Sequence, residues 1–180
     1  MANLLDKYRQ EVAPKLKTEL KLGNILAVPR LLKITLNVGV KEALTDKKVI
    51  DKVVEEIGLI AGQRPVVKKA KKAIAGFKLR QGDPIGVMAT LRAKKMYDFF
   101  EKLVKIVLPR VRDFRGVAEK SFDQQGNFSL GFSEQIVFAE IDYDKIGKIR
   151  GLEVNITTSA KTPQEGKRLL ELLGMPFKAS

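Results

Sequence analysis

The chain has 180 residues, a net charge of +13, and neither Cys nor His. Those absences exclude disulfide frameworks, thiolate metal sites, cysteine nucleophiles, the usual zinc sites and imidazole proton shuttles. The 44% hydrophobic content is enough for the core of one domain over residues 1–180, and the basic excess calls for a polyanionic partner, nucleic acid or an anionic membrane.

Residues 2–22 read as a helix. Leu4, Leu5, Tyr8, Val12, Leu16 and Leu20 fall near helical spacing, Gly23-Asn24 ends it, and Pro14 predicts a kink or an early stop. Residues 30–40 alternate as a strand, with Leu32, Ile34, Leu36, Val38 and Val40 on one face and Lys33, Thr35, Asn37 and Gly39 on the other. A helix over 43–61 carries Ala43, Ile50, Val54, Ile57 and Ala61 on one stripe and is closed by Gly62. Pro65-Val66-Val67 opens a second strand. A third runs from Ile85 to Arg92, with Ile85, Val87, Ala89 and Leu91 inward and Gly86, Met88, Thr90 and Arg92 outward. The segment between them, Ala70 to Pro84, is longer than a hairpin needs and contains Gly76 and Gly82, so it reads as a projecting loop.

A helix over 95–107 follows, striped by Met96, Phe99, Phe100, Leu103 and Val107 and stopped by Pro109. Residues 109–148 are punctuated by glycine and mostly irregular, with a short turn at Gln125-Gly126-Asn127. Leu152, Val154 and Ile156 alternate with Glu153, Asn155 and Thr157 as a fourth strand. Thr162-Pro163-Gln164-Glu165 is a capping box opening a last helix to Leu173. The resulting order is the split β-α-β, or ferredoxin-like, pattern. It predicts an α+β fold: an antiparallel sheet with helices on one face, an added N-terminal helix and a long projecting loop.

The charge is not evenly spread. Residues 57–97 hold 10 basic side chains and one acid, whereas the segments before and after carry net charges of only +3 and +1. Between Glu56 and Asp83 seven basic residues meet no acid, a stretch that repels itself unless an anion sits beside it. The open sheet face would present Lys33, Thr35, Asn37, Met88, Thr90 and Arg92, a set without carboxylates or aromatic rings. Such groups suit phosphates and ribose hydroxyls, and folded RNA better than stacked single strands. On pattern alone an ordinary solvated polar face accounts for them equally well.

Other functions find little support. No apolar run approaches the roughly 18 residues of a membrane span. The first residues lack the apolar core of a signal peptide, so the expectation is a cytoplasmic protein without a membrane partner. No phosphate-binding glycine loop is present, and Glu140, Asp142 and Asp144 lack the central glycine and closing Glu of a calcium loop. The expectation is no metal, no cofactor, no small-molecule substrate and no catalysis.

Several long stretches are more specific. They are Lys33-Ile34-Thr35-Leu36-Asn37-Val38-Gly39-Val40, Ile60-Ala61-Gly62-Gln63-Arg64-Pro65 and Phe77-Lys78-Leu79-Arg80-Gln81-Gly82-Asp83-Pro84-Ile85-Gly86, then Arg112-Asp113-Phe114-Arg115-Gly116 and Phe138-Ala139-Glu140-Ile141-Asp142-Tyr143-Asp144-Lys145-Ile146. In this order they resemble, nearly end to end, the bacterial form of the large-subunit ribosomal protein five family, which binds 5S rRNA.

The resemblance implies a constituent of the large ribosomal subunit in the cytoplasm, with large-subunit rRNA as a general partner, and three contacts. The sheet face would bind 5S rRNA through Asn37, Gln63, Thr90 and Arg92, joined by Lys33 and Thr35 of the same face and by Arg64, Lys68 and Lys69 of the basic run. The 71–83 loop would reach peptidyl-site tRNA with Lys71, Lys72, Phe77, Lys78, Arg80 and Gln81. Phe77 could be core, but Lys78 and Arg80 beside it favour exposure. An inter-subunit bridge to a small-subunit head protein would use Arg110, Arg112, Arg115, Glu134, Glu140, Asp142 and Asp144. An RNA chaperone or translational regulator outside the ribosome is the alternative use of the same basic face.

Overall fold

A computed structural model describes residues 3–46, 48–142 and 147–178. The first helix, α1, spans residues 4–19. Its N-terminus is capped by Asn3, whose side chain accepts from the Leu5 N–H. The helix does not break at Pro14. A wide turn over Tyr8–Val12, in which the Ala13 N–H reaches the Tyr8 carbonyl, precedes the proline and accommodates it within the helix. The end also differs from expectation. Lys21, at φ 51°, takes the left-handed position, and the Leu22 N–H bonds the Lys17 carbonyl. The helix therefore closes before Gly23.

Strand β1 is Leu31–Gly39, α2 is Lys48–Ala61, β2 is Val66–Lys69 and β3 is Pro84–Leu91. Helix α3 covers residues 93–110 and repeats the device of α1: a wide turn over Leu103–Val107 brings the Leu108 N–H to the Leu103 carbonyl, and Pro109 continues the helix instead of stopping it. Then come β4, Phe128–Phe132, β5, Leu152–Thr158, and α4, Pro163–Leu172. The strands lie in one sheet in the order β2-β3-β1-β5-β4. Strands β2, β3, β1 and β5 take the split β-α-β order expected of four strands. The fifth, β4, falls in a region expected to be irregular. The α+β architecture is as read from the sequence.

The chain forms two compact units. The first comprises residues 1–34, 91–130 and 155–180. The apolar stripes of its helices are buried: Leu4, Val12 and Leu16 of α1, Met96, Phe99, Phe100, Leu103 and Val107 of α3, and Leu169 and Leu170 of α4. Leu31 and Ile34 of β1 are buried as well, whereas Leu32 is 42% exposed, so the alternation starts one residue out of phase. Phe122, Phe128 and Phe177 cluster with ring centroids 4.6 to 5.7 Å apart. The turn at Gln125-Gly126-Asn127 is present. The Asp123 carboxylate accepts from the backbone N–H groups of Gln125 and Asn127, and Gly126 has φ 73°. Here α4 comes so close that a Cβ on Gly166 would stand 2.4 Å from the Gly126 carbonyl oxygen. Thr162 caps α4 through the Glu165 N–H, while the Glu165 carboxylate reaches back to the Lys161 N–H, one residue before the box position.

The second unit comprises residues 35–90 and 131–154. Its core holds Leu36 and Val38 of β1, Val87 and Ala89 of β3, Val154 of β5, Phe132, Phe138, and one side of α2. On α2 the buried positions are Ile50, Val53, Ile57, Ile60 and Ala61; Val53 takes the place expected of Val54. Buried Gln135 ties the two ends of the 135–150 segment together. Its backbone N–H donates to the Arg150 carbonyl, its amide nitrogen donates to the Lys148 carbonyl, and its amide oxygen accepts from the Arg150 N–H. Glu42 pairs with Lys148 at 2.5 Å. Burial pushes the half-buried Glu56 carboxyl up, against the pull of Arg150, a Gln135 hydrogen bond and Lys52.

Two expectations follow. Gly166→Ala forces a methyl into backbone and should destabilise the chain by about 1–3 kcal/mol, read from chemical denaturation. Glu56 favours its protonated form in the fold, so the stability this gives at low pH is lost as pH rises through the raised value. Glu56→Gln should therefore raise the melting temperature at neutral pH, with the gain vanishing well below the ordinary Glu value of about 4.3, where the carboxyl is protonated in both the folded and unfolded chain.

Candidate nucleic-acid interface

Strand β2 is an edge strand, antiparallel to β3, with Val66 opposite Met88, Val67 opposite Val87, Lys68 opposite Gly86 and Lys69 opposite Pro84. Residues directly opposite share a face, so Lys68 rises on the side of Gly86 and Met88 and away from buried Val87. A register shift between Lys68 and Lys69 re-aims the second lysine, and both are exposed. Two lysines on an unpaired edge also discourage pairing with another strand. At Gly86 a Cβ would lie 2.8 Å from the Val38 carbonyl oxygen, which keeps this part of the face low.

Next to β2 stands Thr90 of β3, and across β3 stand Thr35 and Asn37 of β1, both half-buried. Gln63 holds the turn before β2: its Nε2 donates to the Thr90 carbonyl at 2.9 Å, leaving Arg64 exposed next to it. Gln63 is thus engaged in bracing the site. The face also includes a residue that the reading from β1 and β3 left out. Glu153 of β5 is exposed, and its Oε2 lies 3.4 Å from Asn37 Nδ2. The face is therefore not free of carboxylates. Alternation along 152–158 marks Glu153 as outward, and the position of β5 beside β1 puts it on this face.

The 70–83 segment is a built extension of the β2–β3 hairpin. At its base the Ala70 N–H donates to the Asp83 carbonyl and the Gly82 N–H donates to the Ala70 carbonyl. Further out, Ile74 and Leu79 donate to each other's carbonyls at 3.0 and 3.2 Å. Between them a tight turn over Ala75–Phe77 ends on Lys78 at φ 52°. The Arg80 N–H donates to the Asp83 carboxylate at 2.8 Å. Lys71, Lys72, Phe77, Lys78, Arg80 and Gln81 are all exposed, and Phe77 is 67% exposed. Phe77 is thus on the surface, as its charged neighbours implied.

The remaining sequence-derived candidates divide between the units. Lys33 and Arg92 belong to the first; Arg92 has left β3 and directly precedes α3. Arg110, Arg112 and Arg115 are exposed in the first unit, and Glu134, Glu140 and Asp142 are exposed in the second. Asp144 lies outside the described residues. Among the described residues no cluster of acidic side chains is arranged to hold a metal ion, and no helix is long and apolar enough to cross a membrane.

Two family models match the chain: the ribosomal protein L5 model over residues 24–80 and the ribosomal L5P family C-terminus model over residues 84–177. The chain belongs to the ribosomal protein L5 family. It is 55% identical over 178 residues to the large ribosomal subunit protein uL5 of Desulfatibacillum aliphaticivorans, covering 99% of both chains. It is equally similar, with the same coverage, to uL5 of Geotalea daltonii. The boundary between the two L5 models, at residues 80 to 84, falls at the end of the hairpin extension. Because the L5 loop side chains are exposed, Phe77→Ala and Lys78→Ala should each change unfolding free energy by no more than about 0.5 kcal/mol in denaturant titrations.

Proposed function

We propose that this L5-family chain is a structural constituent of the large ribosomal subunit that binds 5S rRNA through the open face of its second unit and anchors it to that subunit, with large-subunit rRNA as a further partner. The observation that carries this reading is the coincidence of charge and geometry. Of the ten basic residues in 57–97, seven lie on an edge strand, the turn before it and the hairpin extension, and Arg92, Lys94 and Lys95 lie at the start of α3. Arg64, Lys68 and Lys69 supply charge for phosphates, and Thr35, Asn37 and Thr90 supply hydrogen-bonding groups beside them. On the first unit, Lys33 and Arg92 are further proposed contacts with 5S rRNA.

The hairpin extension is the proposed contact with peptidyl-site tRNA. Lys71, Lys72, Lys78 and Arg80 would meet the backbone, Gln81 would hydrogen-bond, and Phe77 would pack on the tRNA surface. The acidic residues Glu134, Glu140 and Asp142 suit a basic protein of the small-subunit head, with Arg110, Arg112 and Arg115 as further contributors. Complementary charge speeds such an encounter and sets its register more than it deepens affinity. The role is one of binding rather than catalysis, in the cytoplasm and within the ribosome.

The test is a salt titration of 5S rRNA binding with the full chain and with a variant in which residues 72–81 are replaced by glycines. About five to eight phosphate contacts should lower affinity by about a thousandfold between roughly 50 and 200 mM salt. The variant should retain 5S rRNA binding, while ribosomes carrying it release peptidyl-site tRNA faster. A flat salt profile, or loss of 5S rRNA binding on deletion, would contradict the assignment.

A further inference from the structure

The geometry points to Glu153 as a specificity-determining residue: with Asn37 it forms an acceptor pair that reads hydrogen-bond donors of the RNA, while phosphates are held elsewhere on the same face. The inference rests on the proposed 5S rRNA-binding role of that face.

The chemistry follows from one contact. Asn37 Nδ2 lies 3.4 Å from Glu153 Oε2. An ionised carboxylate only accepts, so the Asn37 amide must turn its nitrogen toward Glu153 and its Oδ1 the other way. Asn37 is half-buried in β1, between buried Leu36 and Val38, so its backbone is firmly set; Glu153 is exposed between buried Leu152 and Val154. The pair therefore offers the solvent mainly acceptors: Asn37 Oδ1 and the free lone pairs of the carboxylate. A phosphate is anionic and acceptor-only, and would be repelled here. A ribose 2′-hydroxyl or an exocyclic amino group of a base donates, and fits.

The cations of the same unit sit elsewhere. Lys68 and Lys69 are on β2, and Arg64 is in the turn before it. In the strand order, β3 separates β2 from β1, which puts the edge lysines about two strand spacings, roughly 10 Å, from the Asn37 strand. One side of the face thus attracts backbone of any sequence, and the other admits only RNA that presents donors at that distance. Lysines give affinity and Glu153 gives selection.

The competing view makes Glu153 a solvated strand residue whose charge merely opposes RNA. The two views differ in sign. Glu153→Ala removes a negative charge from a basic face, so a bystander's loss should tighten all RNA binding. If Glu153 selects, Glu153→Ala should weaken 5S rRNA binding by roughly tenfold, the worth of one hydrogen bond to a charged group. It should leave binding to a length-matched RNA of shuffled sequence unchanged or tighter, and leave the salt slope for 5S rRNA unchanged because no phosphate contact is lost. Glu153→Thr, whose β-branched side chain favours a strand but cannot reach Asn37, should show the same loss and guards against a folding artefact. Equal or tighter 5S rRNA binding by both variants would overturn the inference. A native chain that does not prefer 5S rRNA over the shuffled RNA would overturn the proposed function and this inference with it.

Discussion

Burial of alternate side chains along the strands is the constraint from which the rest of the second unit follows. Leu36 and Val38 on β1, Val87 and Ala89 on β3, and Val154 on β5 are all nearly or fully removed from water. A strand has only two faces, so Thr35, Asn37, Met88, Thr90 and Glu153 are committed to the other one. Each fully buried aliphatic side chain contributes roughly 1.5–3 kcal/mol, far more than any single polar contact on the open face. The core therefore dictates where the polar groups stand, and substitutions on the open face can change recognition with little effect on the fold.

On that frame the charge is laid out by chain position. β2 is short and at the sheet edge, with Val66, Lys68 and Lys69 exposed, so its lysines cost nothing in burial and prevent unwanted strand pairing. The hairpin extension beyond it keeps its shape through backbone bonds at Ala70–Asp83 and Ile74–Leu79, not through a core. That leaves Phe77 and the surrounding cations available to a partner. The acidic side chains Glu134, Glu140 and Asp142 flank or follow Gln135, whose buried amide joins the two ends of the 135–150 segment. Cationic and anionic surfaces are thus carried by separate stretches with separate supports.

Much of this was legible in the residues. Period-two alternation placed β1, β3 and β5 and helical stripes placed α1, α2 and α3, because both patterns report burial directly, while a capping box placed α4. What escaped notice has physical reasons. β4 is only Phe128–Phe132, and Ser129 and Gly131 weaken its signal. Pro14 and Pro109 looked like breaks because a missing N–H and a ring clash normally end a helix. A wide turn before each proline relieves both, and nothing in the residues announces it. Lys21 in the left-handed position displaced the helix end from Gly23. Glu153 was visible as an outward strand residue. Its membership of the Asn37 face depended on strand order, which local pattern does not supply.

The central claim, that the open face of the second unit is the RNA surface, is tested most directly by photocrosslinking the full chain to 5S rRNA and mapping the linked peptides by mass spectrometry. The account predicts crosslinks within residues 33–39, 63–69 and 86–92, with the 71–83 extension unlinked until tRNA and ribosomes are present. Crosslinks concentrated on α2 or α4, with the strands bare, would contradict it.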